Sequence, residues 1–134
     1  MSHWTNMKTQ IRDKEALKKA LARMFPEARI TENSIVRGYS GNSKKADVVV
    51  EAPAKGGFNS FYDLGFTRAQ DGTFEAVTDF FGSAKWTGNE NQLRQSLTRN
   101  YACEVTKSEA EKMGAFVNET TDEDGTIRLS IRQY

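Results

Sequence analysis

Two aspartates on facing strands are the side chains of this sequence best placed to act together. Asp63 and Asp79 lie within residues 62–81, where two β-rich runs flank residues 70–72, Gln-Asp-Gly. Asp-Gly between such runs is a strong hairpin signal, and a three-residue loop sets Asp63 directly opposite Asp79. Since like charges in that position destabilise a sheet, an arginine, a divalent cation with oxygen ligands or a shared proton should compensate.

Neutralisation by a basic side chain is the alternative to a cation at this pair. Arg29, Arg37 or Lys45 could supply the charge, or the carboxylates could splay into solvent, since structural ion-pair networks also gather carboxylates. Two carboxylates do not make an active site. We therefore predict no catalytic residue and no cofactor, and keep Asp63 and Asp79 as the candidate metal ligands.

A basic loop that contains two glycines is the second candidate site. Residues 37–45 read RGYSGNSKK, and backbone amides together with Arg and Lys side chains could hold a phosphate. The spacing matches neither the P-loop nor the dinucleotide fingerprint, so an ordinary solvated hairpin loop is the alternative. The predicted binding residues here are Arg37, Tyr39, Lys44 and Lys45.

Large aromatic residues in glycine-rich segments form a third candidate. Trp86 lies in residues 82–88, which the composition predicts to be a loop, and Phe58, Phe61 and Phe81 lie close by in the sequence. Such residues could stack on bases or anchor a partner protein. Folding back over the core is the alternative.

Cys103 and His3 are each alone of their kind. A Cys-His dyad would need them within hydrogen-bonding distance, with a third group to orient the base, and no pattern here predicts that. A single cysteine forms no intramolecular disulfide, which favours a reducing compartment. The first residues lack an apolar signal region, and no run approaches a membrane-spanning length. We expect a cytosolic protein, or one in an equivalent compartment, with no membrane partner.

Charge is balanced overall but unevenly distributed. The 134 residues carry 19 basic and 18 acidic side chains, a net charge of +1, which predicts neither a nucleic-acid nor a membrane partner. Residues 1–50 nevertheless hold ten Lys and Arg against five Asp and Glu, whereas residues 101–134 hold four against seven. The basic third therefore indicates either a surface that faces a polyanion or internal pairing with the acidic end.

Hydrophobic periodicity places these residues on elements. Alternation over residues 3–11 predicts a strand, and Asp13 is a good N-cap for an amphipathic helix that ends near Met24. Residues 29–39 are predicted to form two short strands joined by a turn. The β-branched run within residues 46–52 is typical of a central strand buried on both faces.

The register of the central hairpin divides it into two faces. A one-residue slip moves a strand's side chains to the other face, so the register that gathers the apolar residues should win. The apolar face then carries Tyr62, Leu64, Phe66, Phe74, Ala76 and Phe80. The second face carries Asp63, Gly65, Thr67, Glu75, Val77 and Asp79.

The last third is predicted to hold helices at residues 90–103 and 108–113, with one kinked helix as the alternative. A closing hairpin follows, in which a three-residue loop sets Val117 opposite Ile131. Leu129 and Ile131 are predicted core residues.

These elements predict a single α+β domain over residues 1–134. We expect a largely antiparallel, twisted sheet of about six or seven strands, with two or three helices packed on one face. If the closing strand is a sheet edge, two copies could pair there to form a dimer.

Several segments resemble an uncharacterised family of cyanobacteria and red-algal plastids, called hypothetical chloroplast open reading frame thirty-five. The segments, in matching order, are MSHWTNMKTQIRDKEALKKAL, SIVRGYSGNSKKADVVVEA, YDLGFTR with DGTFEAVTD, and EDGTIRLSIRQY. Departures fall at residues 80–83 and 107–113. The resemblance implies a photosynthetic lineage, or a virus that infects one, and a cytoplasmic or plastid-stromal setting. It implies no catalytic or cofactor-binding residue, because the family carries no established activity.

The absence of a metal-ligand cluster, a nucleophile with its base, or a nucleotide motif favours a non-enzymatic binding or adaptor domain. We expect it to present residues 38–45 and 82–88 to a partner, most simply another protein. One alternative is nucleic-acid binding through the basic third. The other is an enzyme that uses a divalent cation at Asp63 and Asp79.

Overall fold

Seven strands and three helices make up the part of the chain that the structure describes, residues 4–38, 41, 43–53 and 62–133 of a computed structural model. In chain order they are β1 (Thr5–Lys8), α1 (Lys14–Met24), β2 (Ile30–Arg37), β3 (Ser43–Val50), β4 (Leu64–Arg68), β5 (Phe74–Thr78), α2 (Phe80–Thr87), α3 (Glu90–Lys112), β6 (Ala115–Thr121) and β7 (Ile127–Gln133). The first five strands form an antiparallel sheet in the order β1-β5-β4-β3-β2, and β6 and β7 form a separate two-stranded sheet. The predicted α+β class is confirmed.

The β4–β5 hairpin has the predicted register. Phe66 pairs with Ala76 and Arg68 with Phe74, and Gly72 has φ of +88°, the left-handed conformation that a glycine adopts without steric cost. The alternation of apolar and polar residues in the two strands and the residues of the turn therefore favour the same register, and that register is observed.

Helices α1 and α3 cover the apolar face of the sheet. The core between them consists of Met7, Ile11, Leu17, Leu21, Val48, Val50, Leu64, Phe66, Phe74, Ala76, Leu93 and Leu97. Burial of each larger side chain contributes about 1.5–3 kcal/mol. None of the described helices is both long enough and apolar enough to cross a membrane.

The β2–β3 hairpin folds back across the second face of the sheet. Ile30 and Leu64 both pair with Val50 and so lie at one level, whereas Arg37 lies seven residues further along β2. In a flat sheet those seven residues would span roughly 23 Å. The Asp63 N–H nevertheless donates to the Arg37 carbonyl at 3.1 Å. The far end of the hairpin must therefore curl over the sheet.

Asn33 lies where the alternation along this hairpin changes. Its φ is 49°, in the left-handed region that asparagine tolerates better than most residues. Beyond it, Val36 and Ala46 pack with Val49 and Val77 of the second face and form a smaller second core. The hairpin therefore buries apolar surface on a face that the helices do not cover.

Gly65 permits this close approach. A Cβ atom at Gly65 would lie 2.2 Å from Val36 Cγ2 and 3.1 Å from Ala46 Cβ. Both distances are shorter than normal carbon contacts. A glycine on β4 is therefore what lets β2 pass over it.

Three predicted elements are corrected. Ile30–Arg37 form one strand, β2, and not the two short strands predicted within residues 29–39, because pairing with β3 continues on both sides of Asn33. Residues 82–88 are not a loop, since most of them belong to α2, which Asp79 caps. Residues 90–112 form one helix, α3, and not the two predicted, because the helix continues without a break past Ser108.

The closing hairpin is partly as predicted. Val117 pairs with Ile131, which confirms its register. Ile131 is 50% exposed and Leu129 is half-buried, so their assignment to the core is wrong. The reason is that β6 and β7 lie against α3 outside the main sheet, and one helix covers only part of their inner face.

Candidate functional site

Asp63 is a structural anchor at the centre of the predicted site. Its side chain is 0% exposed, and Oδ2 accepts hydrogen bonds from Arg37 Nε at 2.8 Å and the Arg37 N–H at 2.9 Å. Oδ1 accepts from Arg37 Nη2 at 2.9 Å and the Ala52 N–H at 2.8 Å. This is a bidentate, charge-assisted pair, the strong form of such contacts. Hydrogen bonding to this carboxylate raises the pKa of Arg37.

Asp79 has a different role. The ladder between β4 and β5 ends at the Leu64–Thr78 pair, so the expected direct pairing of the two aspartates is not part of it. Asp79 instead caps α2, where its Oδ1 accepts the Phe81 N–H at 3.0 Å. Within the described ranges, no group of three or more His, Cys, Asp or Glu residues is placed to hold a metal ion.

Trp86 packs inward from α2. Its Nε1 donates to the Tyr62 carbonyl at 2.9 Å, and its ring meets Phe25 edge-on with centroids 5.0 Å apart. This matches the alternative in which the aromatic residue folds back over the core. Tyr39, Phe58, Phe61 and His3, which the sequence singled out, lie outside the described residues.

Much of the basic third is used in internal ion pairs. Lys14 and Lys18 both reach Glu32 on β2, Lys18 at 2.9 Å, and these two lysines lower the pKa of Glu32 to about 2. Arg37 is taken up by Asp63, as described above. The charge excess of residues 1–50 is therefore partly internal complementarity.

Arg23 links α1 to the acidic end of the chain. The sequence patterns did not single out this residue. It bonds Glu104 on α3 at 2.8 Å and Glu119 on β6 at 2.9 Å. Lys107 also contacts Glu119, at 3.3 Å. Burial opposes the charge on Arg23, but the two carboxylates outweigh it and raise its pKa. Cys103 Sγ accepts from the same guanidinium at 3.1 Å, and burial raises the pKa of this thiol.

Lys44 and Lys45 remain outside any ion pair in the described part of the chain. They lie on β3 beside two adjoining hollows of about 240 and 340 Å³ on the second face, which share Lys45 and Thr67. Lys44 Nζ lies 5.5 Å from the centre of the Trp4 ring. We call this surface the lysine groove; its lining includes Asn6, Lys44, Lys45, Thr67 and Glu75.

Two acidic side chains, Glu75 and Asp47, border the lysine groove. Glu75 lies directly across from Lys8 on β1. Asp47 accepts the Arg68 N–H at 2.7 Å. The groove therefore presents two lysines and two carboxylates side by side.

A sequence model of one protein family matches residues 20–130, under the description "Protein of unknown function (DUF1257)". The chain belongs to the DUF1257 family. It is also 29% identical over 136 residues to "Uncharacterized protein ycf35" of Guillardia theta, a match that covers 100% of this chain and 98% of the relative. No solved structure matches it significantly.

The match to the DUF1257 family bears out the resemblance seen in the sequence. Its range includes the Arg37–Asp63 anchor, Lys44 and Lys45 of the lysine groove, and the Arg23 cluster. It assigns none of them a role.

Proposed function

We propose that this protein is a non-enzymatic binding domain of the adaptor kind, which receives an acidic segment of a partner protein in the lysine groove. One observation carries the proposal. Lys14, Lys18, Arg23 and Arg37 are paired with carboxylates of the chain. Lys44 and Lys45, in contrast, line a concave surface on the face that no helix covers. Two adjacent exposed lysines attract single carboxylates and speed the encounter with a segment that carries them.

Shape and charge favour a protein over a nucleic acid. The groove holds Glu75 and Asp47 beside its two lysines, and a continuous phosphate backbone would be repelled by these carboxylates. A protein segment can place single carboxylates against Lys44 and Lys45 and neutral residues elsewhere. We place the protein in the cytoplasm or plastid stroma as part of the same proposal.

The test measures binding of fluorescein-labelled hexaglutamate, with labelled oligothymidine of equal length as comparator, by fluorescence polarisation at several salt concentrations. The double variant Lys44→Glu/Lys45→Glu should weaken hexaglutamate binding about tenfold or more, since two attractive contacts become repulsive. The matched control is Lys19→Glu/Lys85→Glu, which makes the same charge change at two exposed lysines on α1 and α2. It should bind within about twofold of the wild type.

Three outcomes would overturn the proposal. One is no hexaglutamate binding at low salt, and a second is equal loss in the groove variant and the control. The third is tighter binding of oligothymidine that the groove variant abolishes, which would establish the nucleic-acid alternative in its place.

A further inference from the structure

We propose that the outer edge of β1 is a second docking site, where an extended acidic segment of a partner protein adds to the five-stranded sheet. This goes beyond the lysine groove, because it uses different atoms: the backbone of β1 and the side chain of Arg94 on α3. Among the described residues, β1 is the terminal strand of the sheet and has β5 on one side alone.

The backbone of β1 offers hydrogen-bonding groups at this edge. The Lys8 carbonyl accepts a hydrogen bond from Arg94 Nη1 at 2.7 Å, so it points away from β5. Residues of an antiparallel strand alternate between facing the partner strand and facing outward. Asn6, two residues earlier, therefore also points its N–H and carbonyl toward the open edge. An added strand would find two residues of β1 ready to pair.

A hollow lies beside this edge, between β1 and α3. Its volume is about 360 Å³, and Met7, Ile11 and Leu97 lie at its base, with Thr98 and Tyr101 also in its lining. Alternate side chains of an added strand would point to the α3 side of the sheet. The hollow is large enough for one or two of them.

Arg94 makes the edge selective for acidic segments. It covers the Lys8 carbonyl, a charged guard of the kind that limits edge-to-edge aggregation. Its other partner is Glu90 at 3.7 Å, and the two side chains are 44% and 50% exposed, so a second carboxylate can reach the guanidinium from solvent. A backbone N–H of the added strand would displace Arg94 from the Lys8 carbonyl. A carboxylate of the same strand would then bind the displaced guanidinium in a bidentate pair.

The experiment titrates the full chain, labelled with ¹⁵N, with two capped pentapeptides, Ac-Thr-Glu-Val-Glu-Thr-NH2 and Ac-Thr-Lys-Val-Lys-Thr-NH2. The acidic peptide should shift the amide signals of Asn6 and Lys8 in a saturable way, and the basic peptide should bind at least about tenfold more weakly. Equal binding of the two peptides would overturn the proposal. So would shifts confined to the lysine groove, at Asn6, Lys44 and Lys45 without Lys8, or no shifts with either peptide.

Two variants sharpen the test. In Arg94→Gln, on the exposed side of α3, the two peptides should bind alike; a persisting acidic preference contradicts the role of Arg94. Asn6→Pro should abolish binding while Asn6→Ala retains it, because proline removes an outward N–H that β5 does not use. Melting temperatures of the proline and alanine variants within a few degrees of each other would show that both fold. Retained binding in Asn6→Pro would overturn strand addition.

The lysine-groove variant separates this inference from the proposed function. Lys44→Glu/Lys45→Glu leaves β1 and Arg94 unchanged, so it should still give the shifts at Asn6 and Lys8. Loss of those shifts would mean that the peptide binds in the lysine groove and not at the β1 edge.

Discussion

Arg37 and Asp63 are joined through both side chain and backbone, at a point where two strands that are not sheet neighbours meet. The guanidinium and the N–H of Arg37 donate to the carboxylate, and the Asp63 N–H donates to the Arg37 carbonyl. A fully buried carboxylate is stable only when paired and hydrogen-bonded. The fold-back of the β2–β3 hairpin supplies that pairing.

Removal of the Arg37 side chain should therefore destabilise the protein strongly. Arg37→Ala leaves the Asp63 carboxylate buried with backbone donors alone, and we expect a loss of about 3 kcal/mol in the free energy of unfolding. Urea denaturation measures it. Arg29→Ala is the control, because Arg29 is 78% exposed and 3.9 Å from Glu51; it should cost less than about 1 kcal/mol. Similar losses in the two variants would show that the anchor is not what holds the hairpin.

The close approach at Gly65 gives a second prediction. Gly65→Ala places a methyl group against Val36, and overpacking of this kind costs about 1–3 kcal/mol. The double variant Gly65→Ala/Val36→Ala removes the opposing methyl groups. A double-mutant cycle should give a favourable coupling of at least about 0.5 kcal/mol. Additive losses would contradict direct contact between the two positions.

The contact of α1 with β2 should weaken in acid. Hydrogen bonds from Lys14 and Lys18 lower the pKa of Glu32 to about 2, against about 4.3 in an unfolded chain. A group with a lowered pKa stabilises the fold above its unfolded pKa, and this contribution disappears as the pH falls through its folded pKa.

Urea unfolding of the wild type and Glu32→Gln at a series of pH values measures this contribution. The difference between them should be constant above about pH 5 and should shrink toward zero near pH 2. A difference that does not change with pH would show that Glu32 acts through packing alone.

The Arg23 cluster should control the attachment of the β6–β7 hairpin. Arg23→Ala leaves the Glu104 and Glu119 carboxylates together with Lys107 alone, and we expect a loss of about 2 kcal/mol. Hydrogen exchange should quicken at the amides of β6 and leave β4 unchanged. The control is Arg128→Ala, whose partner Asp122 lies on the exposed surface. Equal exchange in the two variants would contradict the anchoring role of Arg23.

The local features of the fold could be predicted from sequence. The N-cap at Asp13 and the pairing of Phe66 with Ala76 follow from turn residues and periodicity, which act over a few residues. Helix α2 could not be predicted in this way. Its residues include Gly82 and Ser83, weak helix formers, and a Cβ at Gly82 would lie 2.1 Å from the Tyr62 ring. Gly82 therefore allows a close tertiary contact with Tyr62, which local helix propensity does not reveal.

The sites depended on contacts that periodicity cannot reveal. The prediction that Asp63 faces Asp79 extended the correct β4–β5 register beyond the end of the paired strands. Arg37 reaches Asp63 only because the β2–β3 hairpin crosses the sheet. Arg23 and Glu119 are 96 residues apart. The sequence shows that the two charges are complementary, but it does not show that the two residues lie close together.

The placement of β1 beside β5 has a consequence for synthesis on the ribosome. Thr5 pairs with Thr78, a separation of 78 − 5 = 73 residues, and α1 meets its partner α3 later still. At a synthesis rate of about 5–20 residues per second, β5 is completed roughly 4–15 s after β1. We expect a nascent chain stalled before β5 to be cleaved readily by protease within residues 5–24. Resistance of residues 5–24 to protease would show that α1 packs against other residues before α3 is synthesised.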